Sequence, residues 1–381
     1  MKLLYILKSF ASKAGTERVV SDKINYLAEA GYDITLVTYE QGNHSLAFAL
    51  HPSVRVLDLE TRFFEVSRQP LYKKPFSLFL LRRKFRARLQ NVVDEILPDV
   101  IISTTYSFNL LDVILTIKTS ARQIVESHVA CFSVLKSFKF RKNLIMNKLA
   151  RLYDDYLFYW LQRCNKLVVL TEGDAMEWCK YIPHVVVVSN PVTLIPKQIM
   201  SHDGKGRRII CVGRLHEQKG YDLLLDAFSQ ISEQCPDWII DIFGSGNDEW
   251  YIKEKIRNYR LENRIHINAP TASIYDEYQR SEFLVLSSRY EGFGLVLIEA
   301  MSCGIPCVSF RCKYGPEEII THRKDGLLVN NGDVHDLANQ ILWMINHTEE
   351  RLQMGKEARK SAMAYDKSNI MRQWEQLLVT H

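Results

Sequence analysis

Short apolar runs alternate with longer amphipathic stretches along almost the whole chain. The chain opens with the run KLLYIL, passes through a polar loop into an amphipathic stretch at about 16–30, and reaches a second run, DITLVTY, soon after Gly31. A run of four to eight apolar residues is typical of a buried strand, whereas apolar residues at intervals of three and four indicate a helix. Because strands that alternate with helices form parallel sheets, the pattern predicts an α/β fold.

The alternation continues to the end of the chain and is interrupted once. Pro191 begins a poorly patterned stretch, 191–207, that indicates a hinge between domains. We therefore predict two doubly wound, Rossmann-like domains, at 1–190 and 191–364, whose strands end at a shared cleft, where open parallel sheets bind ligands. The remaining strands are expected at 99–104, 122–127, 166–171, 184–190, 208–213, 238–244, 264–268, 283–288, 306–310 and 326–329.

Length and composition fit two domains in a reducing compartment. The 381 residues, 47% of them hydrophobic, are enough for two separate cores. Eight scattered cysteines without a CxxC pair favour reduced thiols over a disulfide framework. The opening run is too short for a signal peptide, and no run of about 18 apolar residues predicts a membrane span. We therefore expect a cytoplasmic protein.

The net charge of +5 is unevenly distributed. Residues 1–190 hold 26 Lys and Arg against 18 Asp and Glu, and the remainder holds 23 against 26. Two stretches, 62–90 and 136–151, combine cations with Phe, Tyr and Leu, a composition that suits an anionic membrane surface. The alternative is an ordinary helix whose apolar stripe packs on a core and whose cations are solvated. Nucleic acid is not an expected partner, because no nucleic-acid-binding module is visible.

The stretch SRYEGFGLVLIEAMSCGIP predicts a loop followed by a helix that ends at Gly304. Glu299 falls in the second helical turn among apolar residues, where an ionised carboxylate without partners would cost several kcal/mol. Sugar hydroxyls could supply those partners. Glycines at 292 and 294 leave backbone N–H groups accessible at the start of the helix, which favours anion binding there. The alternative is that Glu299 pairs within the protein and Glu291 is a solvated loop charge.

A second group of residues follows the strand RIICVG. Arg214 and Lys219 lie at the entrance of the next predicted helix, where cations face the positive end of the helix dipole. Their placement is unfavourable unless an anion lies between them, and a diphosphate fits that description. Two solvated surface charges are the alternative.

The motifs GRLHEQKG, EGFGLVLIE with its E-x7-E spacing, AMSCGIPCVSF, GPEEII and AGTERVV together resemble the retaining nucleotide-sugar glycosyltransferases of family 4, which have the GT-B fold. The resemblance extends over nearly the whole chain. It implies that Arg214 and Lys219 bind the donor diphosphate and that Glu299 holds the donor ribose. The backbone of Gly292, Phe293, Gly294 and Leu295 would assist at the diphosphate.

The same resemblance assigns residues to the transferred sugar. Glu291 would contact its hydroxyls, and His128 in the N-terminal domain would hydrogen-bond to it or support the developing positive charge. Gly15 would let the first loop approach the donor closely, although Ala14 replaces the first glycine of the usual pair. The N-terminal domain is then expected to bind the acceptor and the C-terminal domain the donor. The segment 365–381 is expected to form a helix that packs back on the N-terminal domain.

Neither a cofactor nor a metal is expected. The Gly-Ser-Gly at 244–246 lacks the third glycine of a dinucleotide fingerprint, and the chain contains no Asp-x-Asp motif for a metal-bound diphosphate.

The resemblance implies transfer of a hexose with retention of configuration, and we expect this transfer to be metal-independent and to use a UDP-sugar in preference to a GDP-sugar. The expected acceptor is a polyprenyl-diphosphate-linked saccharide of a surface polysaccharide or glycan, at the inner face of the membrane. A nucleotide-sugar epimerase and a non-catalytic sugar-nucleotide-binding protein remain alternatives. An epimerase would release no nucleotide, and a binding protein would need neither Glu291 nor His128.

Overall fold

The computed structural model describes residues 1–12, 14–136, 143–197, 204 and 206–380. The chain forms two compact units. The first unit comprises Met1–Leu170, Asp174–Val188 and Met371–His381, and the second comprises Thr171–Gly173 and Ser189–Ile370.

The first unit is built on a seven-stranded parallel sheet of order β3-β2-β1-β4-β5-β6-β7. Its strands are β1 (Lys2–Leu7), β2 (Asp33–Thr38), β3 (Arg55–Asp58), β4 (Val100–Thr104), β5 (Arg122–Glu126), β6 (Lys166–Val169) and β7 (Val185–Val187). Its helices are α1 (Gly15–Glu29), α2 (Lys74–Ile96), α3 (Leu111–Ile114), α4 (Cys131–Val134) and α5 (Leu144–Leu161), followed by α6 (Glu172–Trp178), whose first residues belong to the second unit. Edge strand β3 was not predicted, because its side chains are exposed or half-buried and form no apolar run.

The second unit has a six-stranded parallel sheet of order β10-β9-β8-β11-β12-β13. The strands are β8 (Arg208–Val212), β9 (Ile239–Phe243), β10 (Ile265–Asn268), β11 (Phe283–Leu286), β12 (Cys307–Phe310) and β13 (Gly326–Val329). The helices are α7 (Tyr221–Ile231), α8 (Glu249–Asn258), α9 (Ile274–Gln279), α10 (Leu295–Ser302), α11 (Pro316–Ile319), α12 (Val334–Asn346), α13 (Thr348–Ala362) and α14 (Lys367–Val379), whose C-terminal part belongs to the first unit. The predicted α/β class and the doubly wound sheets are confirmed.

In both sheets the central strands are buried on both faces, as their continuous apolar runs predict. Five of the six residues of β1 are buried, and β11 and β12 are buried along their whole length. The strand order reverses between β8 and β11 in the second sheet. Ligands of open α/β sheets bind outside the carboxyl ends of the strands at such a reversal.

Gly220 brings the loop after β8 against the end of β11. It adopts a left-handed conformation with φ +61°, and an added Cβ atom would lie 2.0 Å from the backbone oxygen of Ser287. Only glycine combines this conformation with so close an approach.

We predict that Gly220→Ala lowers the free energy of unfolding by roughly 3–5 kcal/mol, because the methyl group meets backbone rather than a flexible side chain. Gly332→Ala is the matched control, since Gly332 has φ +82° and no atom within 4 Å of an added Cβ. That control should cost only the ~1–2 kcal/mol of a left-handed alanine. Denaturant unfolding followed by circular dichroism measures both, and equal losses would contradict the close approach.

Candidate functional site

The loops after β8 and β11 bring the predicted residues of the second unit together. Arg214 follows β8, and Lys219 ends a short 3-10 turn, Glu217–Lys219, just before α7. Glu291 follows β11 and precedes α10. The two loops are joined by hydrogen bonds, because the Gln218 side chain donates to the Tyr290 carbonyl at 3.0 Å and the backbone N–H of Arg289 donates to the Gln218 carbonyl at 2.8 Å.

An ion pair between a partly exposed lysine and a buried glutamate connects the two loops most directly. The ammonium of Lys219 lies 2.7 Å from Oε1 of Glu291, and the Ser288 hydroxyl donates to the same oxygen at 2.6 Å. The backbone of Glu291 is also fixed, since its N–H donates to the Lys313 carbonyl and its own carbonyl accepts from the Tyr314 N–H. Glu291 is therefore a buried and oriented carboxylate, and the alternative of a solvated loop charge is wrong.

Arg214 is exposed in the same loop. Its guanidinium lies 3.5 Å from Oε1 of Gln218, which is a neutral partner at the limit of a hydrogen bond. The positive charge of Arg214 is therefore available to an anion, whereas the charge of Lys219 is already balanced by Glu291.

The first turn of α10 supplies backbone donors beside these side chains. Gly294 adopts a left-handed conformation with φ +99° immediately before the helix begins at Leu295, and no acidic residue occupies the first turn. The ring of Phe293 is buried and packs edge-on against Tyr365. N–H groups in the first turn of a helix have no partner within that helix, so this end of α10 favours an anion.

Glu299 has a partner inside the protein. The hydroxyl of Tyr278, which is fully buried on α9, donates to Oε2 of Glu299 at 3.0 Å. Burial, and next the charge of Glu299, raise the pKa of Tyr278 well above its usual value, so the hydroxyl keeps its proton. Internal pairing, the alternative left open by the sequence, is thus what the structure shows for one oxygen, while the ribose contact stays a prediction.

His128 lies two residues beyond β5 in the first unit, within a buried cluster. Its Nε2 is 3.6 Å from Oε1 of Glu126, and the same oxygen forms an ion pair with Lys23 of α1. The side chains of His128, Glu126 and Lys23 are 3%, 1% and 1% exposed. The ammonium of Lys23 also lies 4.3 Å from the centre of the Trp374 ring.

Burial determines the charge state of this cluster. It lowers the pKa of His128 to about 3, and the nearby charge of Lys23 acts in the same direction, whereas Glu17 opposes them. The imidazole is therefore neutral near pH 7 and can act as a hydrogen-bonding dipole. Sequence reasoning missed Lys23, Glu126 and Trp374, although a lysine on the apolar face of α1 was a detectable signal.

Gly15 is exposed at the first position of α1, directly after the extended Ala14. The neighbouring position 13 and the segment 137–142, which belongs to the predicted basic stretch 136–151, lie outside the described residues.

The two predicted basic stretches expose apolar side chains as well as cations. In α2 the buried stripe is confined to the C-terminal part, whereas Leu71 before the helix is 82% exposed. At the start of α5, Leu144 is 91% exposed. Among the described residues, the exposed apolar side chains are Phe64, Leu71, Tyr72, Phe76, Leu78, Phe79 and Leu80 in the first stretch, and Leu144, Ile145, Met146 and Leu149 in the second.

Most cations in the middle of α2 have partners within the protein. Arg82 pairs with Asp112, Arg86 donates to Thr116, and Arg88 donates to the Leu59 carbonyl. Lys84 donates to the Glu60 carbonyl at 3.0 Å. The helical stripe and its cations are thus partly structural, which the sequence allowed as an alternative.

The described part of the chain shows neither a metal-ligand cluster nor a membrane-spanning helix. There, no group of three or more His, Cys, Asp or Glu side chains is placed to hold a metal ion. No helix among the same residues is both long and apolar enough to cross a membrane.

Two family models match the chain, one after the other. The model described as Glycosyltransferase Family 4 matches residues 14–194, and the model described as Glycosyl transferases group 1 matches residues 196–361. The strand reversal and the paired loops of the second unit are consistent with these two family matches. The chain is a glycosyltransferase of the GT-B type.

Relatives along the whole chain support this assignment. An uncharacterized glycosyltransferase of Haemophilus influenzae is 26% identical over 99% of both chains. The amylovoran biosynthesis glycosyltransferase AmsD of Erwinia amylovora is 27% identical, also over 99% of both chains. The crystal structure of Staphylococcus aureus TarM, in complex with fondaparinux, alpha-GlcNAc-glycerol and UDP, matches over 100% of both chains with a TM-score of 0.79 and 16% identity. The last match shows the same fold.

We predict that Tyr278→Phe lowers the free energy of unfolding of this glycosyltransferase by about 1.5–3 kcal/mol, because the Glu299 carboxylate loses a buried donor. Tyr5→Phe is the matched control, since Tyr5 is equally buried and its hydroxyl has no hydrogen-bond partner among the described residues. It should change stability by less than about 0.5 kcal/mol. Urea unfolding of both variants measures the difference, and a neutral Tyr278→Phe would mean that Glu299 does not depend on this bond.

Proposed function

We propose that this glycosyltransferase moves a hexose from a UDP-sugar to a lipid-linked saccharide in the synthesis of a surface polysaccharide or glycan, with retention of anomeric configuration and without a metal ion. The observation that carries the proposal is the grouping of Arg214, the Lys219–Glu291 pair and the first turn of α10 at the strand reversal of the second unit. In the reaction the bond from the anomeric carbon to the diphosphate oxygen breaks, an acceptor hydroxyl bonds to that carbon, and the hydroxyl proton passes to the departing UDP.

Charge complementarity supports the donor site. A diphosphate is negatively charged, so the exposed guanidinium of Arg214 can pair with it. The backbone N–H groups of Gly294 and Leu295 can donate hydrogen bonds to its oxygens. Lys219 is already fixed by Glu291, so it reaches a phosphate without the entropic cost of ordering a free side chain. Arg214 and the N–H groups of α10 supply the positive potential that a metal ion supplies in metal-dependent sites, and Lys219 adds a hydrogen-bond donor whose charge Glu291 balances.

Glu291 and His128 are proposed to act on the transferred sugar. Positive charge develops on the sugar as its bond to the diphosphate breaks, and a fixed carboxylate or a neutral imidazole dipole stabilises that charge without reorganisation. Glu299 is proposed to accept a ribose hydroxyl in addition to the hydroxyl of Tyr278. Gly15 is proposed to let the loop before α1 approach the donor.

The relatives guide the choice of substrates. The TarM structure contains UDP, and AmsD is named for amylovoran biosynthesis. A UDP-sugar donor and a polysaccharide-type acceptor are therefore the first to test. The lipid carrier is proposed because the first unit exposes apolar and cationic side chains together.

We predict that Glu291→Gln lowers kcat at least about a hundredfold and leaves UDP affinity equal or higher, because Lys219 is no longer neutralised by a carboxylate. His128→Asn should also lower kcat while UDP affinity stays within about threefold. The measurement is nucleotide release from a panel of UDP- and GDP-sugars with lipid-linked acceptors, with UDP affinity determined by calorimetry. Glu254→Gln, which removes an exposed carboxylate paired with Arg257, is the control.

Three outcomes would contradict the proposal. Wild-type turnover by Glu291→Gln would remove Glu291 from the chemistry. Binding of UDP without release of nucleotide from any sugar donor would favour a binding protein. Conversion of one UDP-sugar into another without nucleotide release would favour an epimerase.

We also propose that the apolar and cationic surface around the N-terminal part of α2 and α5 rests on an anionic membrane. Tyr72, Phe76 and Phe79 are exposed there beside Lys73 and Arg83, whose charges lie close to the aromatic rings. Apolar side chains that enter the interface next to cations are typical of peripheral membrane binding. This surface involves the first turns of α2, since Arg82 and Arg86 further along the helix are held within the protein.

We predict that Lys73→Gln, Lys74→Gln and Arg83→Gln together weaken binding to vesicles containing phosphatidylglycerol about a hundredfold, at about 1 kcal/mol for each cation. Binding to vesicles of phosphatidylcholine alone should be weak and unchanged. Trp250→Ser, which removes an exposed aromatic side chain from the second unit, is the control. Co-sedimentation that the triple variant leaves unchanged would contradict the proposed surface.

A further inference from the structure

A fully buried lysine lies on the apolar face of α1. Lys23 is flanked on that face by Val19, Val20, Ile24 and Leu27, all of them buried. A buried ammonium is costly unless it is paired, and Lys23 has two partners, the carboxylate of Glu126 and the face of the Trp374 ring at 4.3 Å. Purely structural ion pairs of this kind are often no better than apolar residues of similar size, so its neighbours must be considered.

One oxygen of Glu126 stands between two basic groups. Oε1 pairs with the Lys23 ammonium and lies 3.6 Å from Nε2 of His128. The carboxylate is therefore shared by the lysine that neutralises it and by the imidazole proposed to act on the sugar. With Lys23 in place, the pair has no net charge, and His128 need not become cationic to balance Glu126.

The C-terminal helix α14 contacts both Lys23 and strand β5. Trp374 is 1% exposed and covers the Lys23 ammonium. At the opposite end of β5 from Glu126, the guanidinium of Arg122 donates to the carbonyls of Leu377, Leu378 and Thr380 at the end of α14. Strand β5 is thus connected to α14 at both ends. Arg122 connects them at the start of the strand, and the successive contacts of Glu126 with Lys23 and of Lys23 with Trp374 connect them at its end.

We propose that Lys23, covered by Trp374, is a positioning residue that neutralises Glu126 and thereby keeps the imidazole of His128 uncharged and oriented with Nε2 toward that carboxylate. Its effect on turnover rests on the proposed function of His128, whereas its effect on the charge state of His128 does not. The charged groups that face His128 are Lys23 and Glu17 of α1 and Glu126 of β5.

The electrostatics of the cluster agree with this geometry. Burial first and the charge of Lys23 second lower the pKa of His128 to about 3. Burial also lowers the pKa of Lys23 and raises that of Glu17. The ion pair with Glu126 and the face of the Trp374 ring are the contacts that favour the charged lysine against this burial. Without Lys23, the carboxylate of Glu126 would face the imidazole without a cation, and an uncompensated opposite charge at this distance raises a histidine pKa by roughly 1–3 units.

The test is the titration of His128 followed by NMR of the histidine ring nitrogens. The chain has 11 histidines, and the spectrum of His128→Asn identifies the signals of His128 by their loss. In the wild type these signals should not titrate near the ordinary histidine pKa of 6.5. In Lys23→Met the pKa should rise by roughly 1–3 units, and in the double variant Lys23→Met/Glu126→Gln it should fall back, because neither charge remains.

The second measurement is the turnover of the Lys23→Met variant. Lys23→Met should lower kcat about tenfold or more and change UDP affinity by less than about threefold, because the proposed donor residues belong to the second unit. A lysine that only packs would alter stability without moving the titration of His128. If Lys23→Met shifts the titration while His128→Asn keeps wild-type turnover, Lys23 positions His128 as proposed and the catalytic assignment of His128 is wrong.

Two results would overturn the proposal. One is a wild-type His128 that titrates near 6.5, and the other is an unchanged titration in Lys23→Met. Should Lys23→Met fail to fold, Lys23→Gln replaces it, because the amide removes the positive charge and keeps a hydrogen-bond donor for Glu126. That variant should shift the pKa of His128 upward, and an unshifted titration in it would equally contradict the proposed role.

Discussion

An ion pair between Lys219 and the buried carboxylate of Glu291 organises the candidate donor site. It joins the loop after β8 to the loop after β11 at the point where the strand order of the second sheet reverses. Gly220 makes this possible, because only a residue without a side chain lets α7 start in contact with the backbone of Ser287. The Ser288 hydroxyl and the backbone of Lys313 and Tyr314 complete the contacts that orient Glu291. Arg214 lies exposed in the same loop as Lys219.

Each unit contains a lysine–glutamate ion pair, but the residue proposed to contact the sugar differs between them. In the second unit a lysine fixes the carboxylate that is itself proposed to contact the sugar. In the first unit Lys23 fixes Glu126, and the group proposed to contact the sugar is the adjacent His128. In each case a lysine forms an ion pair with a buried carboxylate and holds it in place. Removing one partner of a fully buried pair, such as Lys23 and Glu126, costs about 3–5 kcal/mol.

The sequence predicted the features that depend on local pattern. Apolar runs located β1 and β11, and the glycines at 294 and 304 marked the ends of α10. It could not predict features made by residues far apart in the chain. Tyr278 reaches Glu299 from another helix, and Lys23 and Glu126 are separated by 103 positions, so neither partner is visible from its own neighbourhood.

The central claim is that the paired loops of the second unit hold the diphosphate of a nucleotide sugar. A crystal structure of the protein with UDP, grown with a metal chelator, tests it most directly. The account predicts phosphate oxygens within hydrogen-bond distance of Arg214, Lys219 and the first backbone N–H groups of α10, and a ribose hydroxyl on Glu299. UDP bound elsewhere, or bound only when a divalent metal replaces the chelator, would contradict it.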